Sequence, residues 1–212
     1  MTRRVAGGVL LVLAAALAAG CGPSGRAVSA SAVALPYPCA LRPLATLSPD
    51  FTVQQHIVAT GHGKSGGFDA VLQKKGDTLV LVGLVAGVRA FVLKQEGLRI
   101  SFEQSMGPPM PFPASYAVID IHRAYYKRLP RPDDAAPSGV IRGALDGEAV
   151  EESWSNGSLT ERRFSRPGQT GVVRVEYGPG CTAARCLPAW VRIVNEWLDY
   201  TVRVDNEEFV LL

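Results

Sequence analysis

The stretch that most constrains the fold is residues 67–104, GFDAVLQKKGDTLVLVGLVAGVRAFVLKQEGLRISFEQ. It reads as four short strands joined by tight turns at Lys75-Gly76-Asp77, near Ala86-Gly87 and at Glu96-Gly97. Phe68, Ala70 and Leu72 alternate with Asp69, Val71 and Gln73, and Leu98, Ile100 and Phe102 alternate with Arg99, Ser101 and Glu103. That period of two marks a strand with one wet face. The middle pair differs: residues 79–85 are apolar on both faces, and residues 90–93 nearly so. Such a run fits a strand covered on both sides. The expectation is therefore an apolar cover over the second face, from the same chain, a lipid, or both.

The rest of the folded part is almost all strand. Residues 51–59 alternate, and residues 60–67, TGHGKSGG, read as a loop before the meander. Further candidates are 139–145, 149–154, 159–164, 171–177, 190–194 and 200–204, with 209–212 as a final edge and turns at Asp146-Gly147 and Asn156-Gly157. About a dozen strands with tight turns predict a mainly β protein, one antiparallel sheet rolled into a barrel or half-barrel.

One interruption breaks the pattern, at residues 107–134. The proline-rich GPPMPFP cannot sit inside a sheet. It leads into the one helix candidate of the mature chain, residues 114–126, which Pro130 and Pro132 end. Ala117, Ile121, Ala124 and Tyr125 share a face with Val118 beside it, while Asp120 and Arg123 point elsewhere. A proline-bounded helix in an all-strand chain predicts either a lid over the concave face or a plug in an open barrel end. As a lid it would close a pocket lined by Leu81, Phe91, Leu93, Phe102, Ile121 and Tyr125.

The N-terminus speaks to compartment. Thr2-Arg3-Arg4 precedes an apolar core, residues 9–19, too short for a membrane span, which needs roughly 20 residues. That is the layout of a secretory signal. Leu17-Ala18-Ala19-Gly20-Cys21 resembles the bacterial lipobox, with Ala18 where Leu is commoner. The bland alternative is an ordinary secretory signal with an incidental cysteine. The lipobox implies lipidation of Cys21 and acylation of its amine, and chains of this kind, at about 0.8 kcal/mol per buried CH₂, hold stably in a membrane. Gly22 rather than Asp after the cysteine implies sorting to the outer membrane, facing the periplasm. Residues 22–34 then read as a flexible tether spanning on the order of 20 Å. The expected organisation is a signal over 1–20, lipidated Cys21 and tether over 21–36, and a single domain over 37–212.

Removing residues 1–20 leaves 192 (212 − 20), with 20 Lys+Arg (22 − 2) against 19 acids. That near-neutral balance argues against a nucleic-acid partner. Of the remaining cysteines, Cys181 and Cys186 flank Thr-Ala-Ala-Arg, and an oxidising compartment favours a short disulfide across that loop. Cys39 with either of them is the alternative. No metal site is expected: Cys-x₄-Cys alone, with no histidine near, is not a zinc signature. Catalysis finds no support either. Gly63-Lys64-Ser65 lacks the earlier glycine of a phosphate-binding loop, where Val58 stands, and a strand follows it. His56, His62 and His122 have no ligand-like spacing and read as surface or strand residues. Asp69 and Asp120 read as single carboxylates without a recognisable partner. No Gly-x-Ser-x-Gly elbow occurs.

The runs GFDAVL, LVLVGL, GVRAFVL and EGL, the proline-rich link, the helix with Asp120 and paired tyrosines, and the C-terminal DYTVRV together resemble an uncharacterised family of bacterial lipoproteins, the domain of unknown function 3261. Ala124-Tyr125-Tyr126 departs from it where an aromatic-Pro end to the helix is the pattern. The resemblance implies a fold similar to the lipoprotein carriers LolA and LolB, a half-barrel of about eleven antiparallel strands with helices over an apolar cavity. It also implies genomic company with aryl-polyene-type lipid biosynthesis, and so a lipid or lipid-linked ligand. By similarity to LolB, where an apolar hairpin residue helps deliver cargo, Leu84 and Val85 would form a membrane-insertion loop; the bland alternative is a turn that packs on the sheet. The resulting expectation is a non-enzymatic outer-membrane lipoprotein that binds an apolar ligand and needs no cofactor. The rival is a structural lipoprotein with a filled core that recruits an envelope protein partner.

Overall fold

The computed structural model describes residues 40–107, 113–130, 138–182 and 186–212. The signal, Cys21, the tether and Cys39 lie outside the described residues, as do residues 108–112 and 131–137 of the interruption. Among the described residues a short 3-10 turn, Leu44–Thr46, precedes eleven strands and one helix. The strands are β1 (Phe51–Gly61), β2 (Lys64–Lys75), β3 (Thr78–Val85), β4 (Val88–Glu96), β5 (Arg99–Gln104), β6 (Gly139–Leu145), β7 (Glu148–Ser155), β8 (Ser158–Ser165), β9 (Val173–Tyr177), β10 (Trp190–Asn195) and β11 (Tyr200–Leu211). The helix, α1 (Ala114–Tyr125), falls between β5 and β6.

All strands form one open antiparallel sheet in the order β5-β4-β3-β2-β1-β11-β10-β9-β8-β7-β6. The expected half-barrel is thus the observed one. Four hairpins turn on two residues that both have positive φ: His62-Gly63, Ala86-Gly87, Asp146-Gly147 and Asn156-Gly157. Those turns match the right-handed twist of the flanking strands and fix their register.

Two boundaries differ from expectation. Residues 60–67 are not a loop, because β1 continues to Gly61 and β2 begins at Lys64, leaving a two-residue turn. The segments around 200–204 and 209–212 are one strand, β11, which pairs with β1 along its length across a register shift at Gln54/Gln55. That shift leaves Glu207 without an opposite residue and hides the strand's continuity from an alternation test.

Core residues from alternate positions face one side of the sheet, among them Val53, Leu72, Leu93, Phe164, Val175 and Val191, and α1 lies on that concave side. The second face of β2–β4 carries Val71, Val82 and Val92 directly across from one another. With Val80 and Leu84 they are half-buried and stand apart from the core cluster, so the expected close apolar cover over this face is not what the described residues show.

Candidate functional site

The site is organised by α1, whose two sides meet the sheet in different ways. One side is polar and fully buried. Arg123 donates from Nη1 to Asp120 Oδ1 and from Nη2 to Glu148 Oε1, both at 2.6 Å. Asp120 also accepts from Tyr200 OH and from Asn195 Nδ2, which ties the helix to the ends of β11 and β10. Lys127 lies 3.4 Å from Glu148 and 3.2 Å from Asp146. A second layer lies behind: Arg162 Nε donates to Glu152 Oε1 at 2.9 Å, and its Nη1 donates to Tyr177 OH at 3.1 Å. Tyr177 OH then donates to the Ala124 carbonyl at 3.0 Å, stitching β9 to the helix backbone. Burial is the main cause pushing the Tyr177 phenol up to about 12. These charges survive in the interior because each carboxylate meets a cation and further donors.

His122, on an adjacent face, is fully buried rather than at the surface. Gln95 spends its amide hydrogens on the carbonyls of Arg42 and Gly97, so its Oε1 accepts from His122 Nε2 at 2.9 Å and assigns the proton to that nitrogen. Burial first, and then the nearby Arg42 cation, lower the His122 pKa to about 4. Arg42 itself makes three bonds to Asp146 at the β6–β7 turn. Burial works to raise the Asp146 carboxyl, but Arg42 and Lys127 outweigh it and hold it below its ordinary range. The segment preceding β1 is thereby tied to both arms of the sheet.

The other side of α1 is apolar and only half-covered. Ala114, Ala117 and Ile121, at i, i+3 and i+7, form one stripe, and all three are half-buried. On the sheet, Phe68 meets Phe91 edge-on at 5.3 Å between centroids, and Phe91 meets Phe102 at 5.8 Å. This aromatic row is half-buried as well. Gly83 makes it possible: a Cβ there would stand 2.1 Å from the Phe91 ring, so the ring lies across the glycine's backbone. Leu81 and Leu93, the next pair along the same face of β3 and β4, are buried.

Of the residues singled out in sequence, Phe91, Phe102 and Ile121 thus lie on half-open apolar surface, while Leu81, Leu93 and Tyr125 are buried in the core. Tyr125 is held by its hydroxyl, which Gln55 Nε2 meets at 3.0 Å. Leu84 is half-buried at the end of β3, and Val85 is 45% exposed at the β3–β4 tip beside Val88 at 54%. Cys181 and Cys186 are joined by a disulfide in the extension of the β9–β10 hairpin. Asp120 is not partnerless, as the ion pair with Arg123 shows. Asp69 pairs with His56 at 2.8 Å on the exposed face. Sequence reasoning missed Phe68 and Gly83 as site residues; the signal that could have found them is a large aromatic across from a mid-strand glycine. Among the described residues no group of three or more His, Cys, Asp or Glu is placed to hold a metal ion. Chemically, the paired polar side holds the helix, and the half-open side offers apolar surface.

No curated protein matches the chain by sequence. Among solved structures, it is similar to a LolA superfamily protein of Nitrosomonas europaea at 12% identity and a TM-score of 0.44, over 80% of this chain and 90% of that one. A putative outer membrane lipoprotein-sorting protein domain of Vibrio parahaemolyticus matches at 9% identity and 0.46, over 76% and 85%. The Mycobacterium tuberculosis lipoprotein LppX matches at 10% and 0.31, over 77% and 87%. The profile of one family, described as protein of unknown function (DUF3261), matches residues 52–208, from β1 through to β11, and the chain belongs to that family.

Proposed function

We propose that this protein is a lipid-anchored envelope protein that takes an apolar ligand, a lipid or lipid-linked molecule, into the gap between α1 and the concave face of β2–β5. The observation that carries the reading is the half-buried row Phe68–Phe91–Phe102 facing the side of the sheet on which the Ala114–Ala117–Ile121 stripe lies. Pockets for apolar ligands are concave and lined chiefly by such side chains. Anchoring through Cys21 in the outer membrane, with residues 21–36 as tether and 37–212 as one domain, fits the N-terminal sequence. The exposed Val85 at the β3–β4 tip, with Leu84 behind it, supplies apolar surface for delivery into a bilayer. An aryl-polyene-type cargo is one member of the ligand class. No catalytic step is proposed.

A second reading has its own observation. The buried ion pairs of Arg123 with Asp120 and Glu148 hold α1 as a permanent part of the core, which suits a structural lipoprotein that recruits an envelope partner. Native mass spectrometry with lipid extraction on the full-length protein purified from its own membranes separates the two. A co-purifying lipid or polyene, lost on Ile121→Asp while the circular dichroism spectrum is unchanged, supports ligand uptake. A protein that carries nothing and ignores a fluorescent lipid probe supports the partner reading. Delivery at the tip is tested separately: Val85→Glu should leave ligand binding intact and slow transfer to vesicles, and unchanged transfer removes that role.

A further inference from the structure

We infer that the end of β11, residues 207–211, is a docking edge that takes an extended, basic segment of another protein as an added strand; the inference holds whether or not the protein carries a ligand. β11 is 12 residues long. β1 pairs with it as far as Leu211, but β10 pairs only with residues 200–205. The ladder on the β10 side makes one more bond, from Asn206 N–H to the Ala189 carbonyl. The chain before Ala189 then leaves the edge. Pro188 has no N–H to give, and Leu187 N–H donates to the Gly180 carbonyl instead.

Which backbone groups this leaves open follows from the pairing. Leu212 N–H donates to the Asp50 carbonyl, and bonded positions alternate along an antiparallel ladder. Val210 and Glu208 therefore bond toward β1, opposite Thr52 and Gln54. Phe209 and Leu211 turn their N–H and C=O groups the other way, where no described residue meets them. An open row of strand donors and acceptors is a template for another strand.

The side chains say which strand fits. Val210, Leu211 and Leu212 are 47%, 50% and 58% exposed, an apolar run with no lysine or proline to blunt the edge. Glu207 and Glu208 precede it, both exposed, and neither makes an ion pair with a described residue. A second copy is a poor occupant. Two such edges paired antiparallel about Phe209 would set Glu207 against Leu211 of the copy and Glu208 against Val210. A segment with apolar residues along 210–212 and lysine or arginine beside the glutamates matches both parts of the edge.

The test adds dye-labelled peptides to the full-length protein in dilute detergent and reads fluorescence anisotropy. The probes are the capped peptide Thr-Val-Thr-Val-Lys-Lys, its counterpart ending in Glu-Glu, and the lysine peptide N-methylated at every second residue in either phase. The lysine peptide should bind about tenfold tighter than the glutamate one at low salt, as two exposed ion pairs allow, and the ratio should shrink at high salt. One N-methylated phase should lose binding and the other keep it, because a strand added to one edge uses alternate N–H groups. Leu211→Pro removes an outward N–H that β1 does not use, so it should leave the circular dichroism spectrum unchanged and weaken binding about fivefold. Glu207→Lys with Glu208→Lys keeps the backbone and should reverse the preference to the glutamate peptide. No binding of either peptide, equal binding of the two N-methylated phases, or a preference untouched by the double reversal overturns the inference. So does self-association in sedimentation that Leu211→Pro abolishes, since the edge would then belong to a second copy.

Discussion

The two sides of α1 are held by opposite means. Toward β7–β11 the contact is a set of buried ion pairs and directed hydrogen bonds; elsewhere the helix reaches β4 through the His122–Gln95 hydrogen bond and carries a half-buried stripe of small and branched apolar residues. Apolar contact is non-directional, so a helix seated on it alone can shift along its partner. Ion pairs such as Arg123 with Glu148 fix both position and rotation, at a desolvation cost that leaves little net stability. The lesson is a division of labour: because polar contacts set where the helix lies, its apolar side need not be packed tight, and it stays half-buried.

Removing a charge from the locked side should have the largest effect. Glu152→Ala leaves Arg162 buried without its carboxylate and should cost about 3–5 kcal/mol in urea unfolding. Replacing both residues by apolar ones of similar volume, Glu152→Leu with Arg162→Met, should recover most of that loss. If the double variant is as unstable as the single, the network stabilises the fold outright and is more than a locator.

Acid probes the same side more gently. His122 has an ordinary value of 6.5 and is held at about 4 when folded, so between those values the unfolded chain binds more protons than the folded one. Its contribution is fully present above about pH 6.5 and is lost as pH falls through about 4. The shift corresponds to at most about 3 kcal/mol. Melting temperature should therefore fall steadily from pH 7 to 4, and His122→Gln, which keeps a donor for Gln95, should flatten that slope. An equally steep slope in the variant would place the acid sensitivity elsewhere, with the carboxylates.

The sheet was legible because period-two alternation and Asp-Gly or Asn-Gly turns are local signals. Where a bulge at Glu207 breaks the alternation, one strand read as two. The helix was legible too, but the assignment of its sides was not. An amphipathic rule sends Asp120 and Arg123 to water, whereas their partners Tyr200 and Glu148 arrive from 80 and 25 residues away. No local pattern carries pairings at that distance. Phe91, Phe102 and Ile121 could be picked out as apolar residues in the right elements; Gly83 carries a fainter signal, a mid-strand glycine across from an aromatic, since its role is the space it leaves for the Phe91 ring.

One helix also carries the same residue on both sides. Ile119 is fully buried against Tyr116 and Trp197, whereas Ile121 is half-buried on the open stripe. Ile119→Ala should cost about 2–5 kcal/mol, since the lost contacts leave a cavity that fixed neighbours do not fill. Ile121→Ala removes less buried area from a side chain that is already part-exposed, so about 1 kcal/mol is expected. Binding should move in the reverse order: affinity for an apolar probe should drop with Ile121→Ala and hold with Ile119→Ala. Equal losses of stability would mean that the apolar side is packed as tightly as the polar one, and the gap would then be part of a filled core.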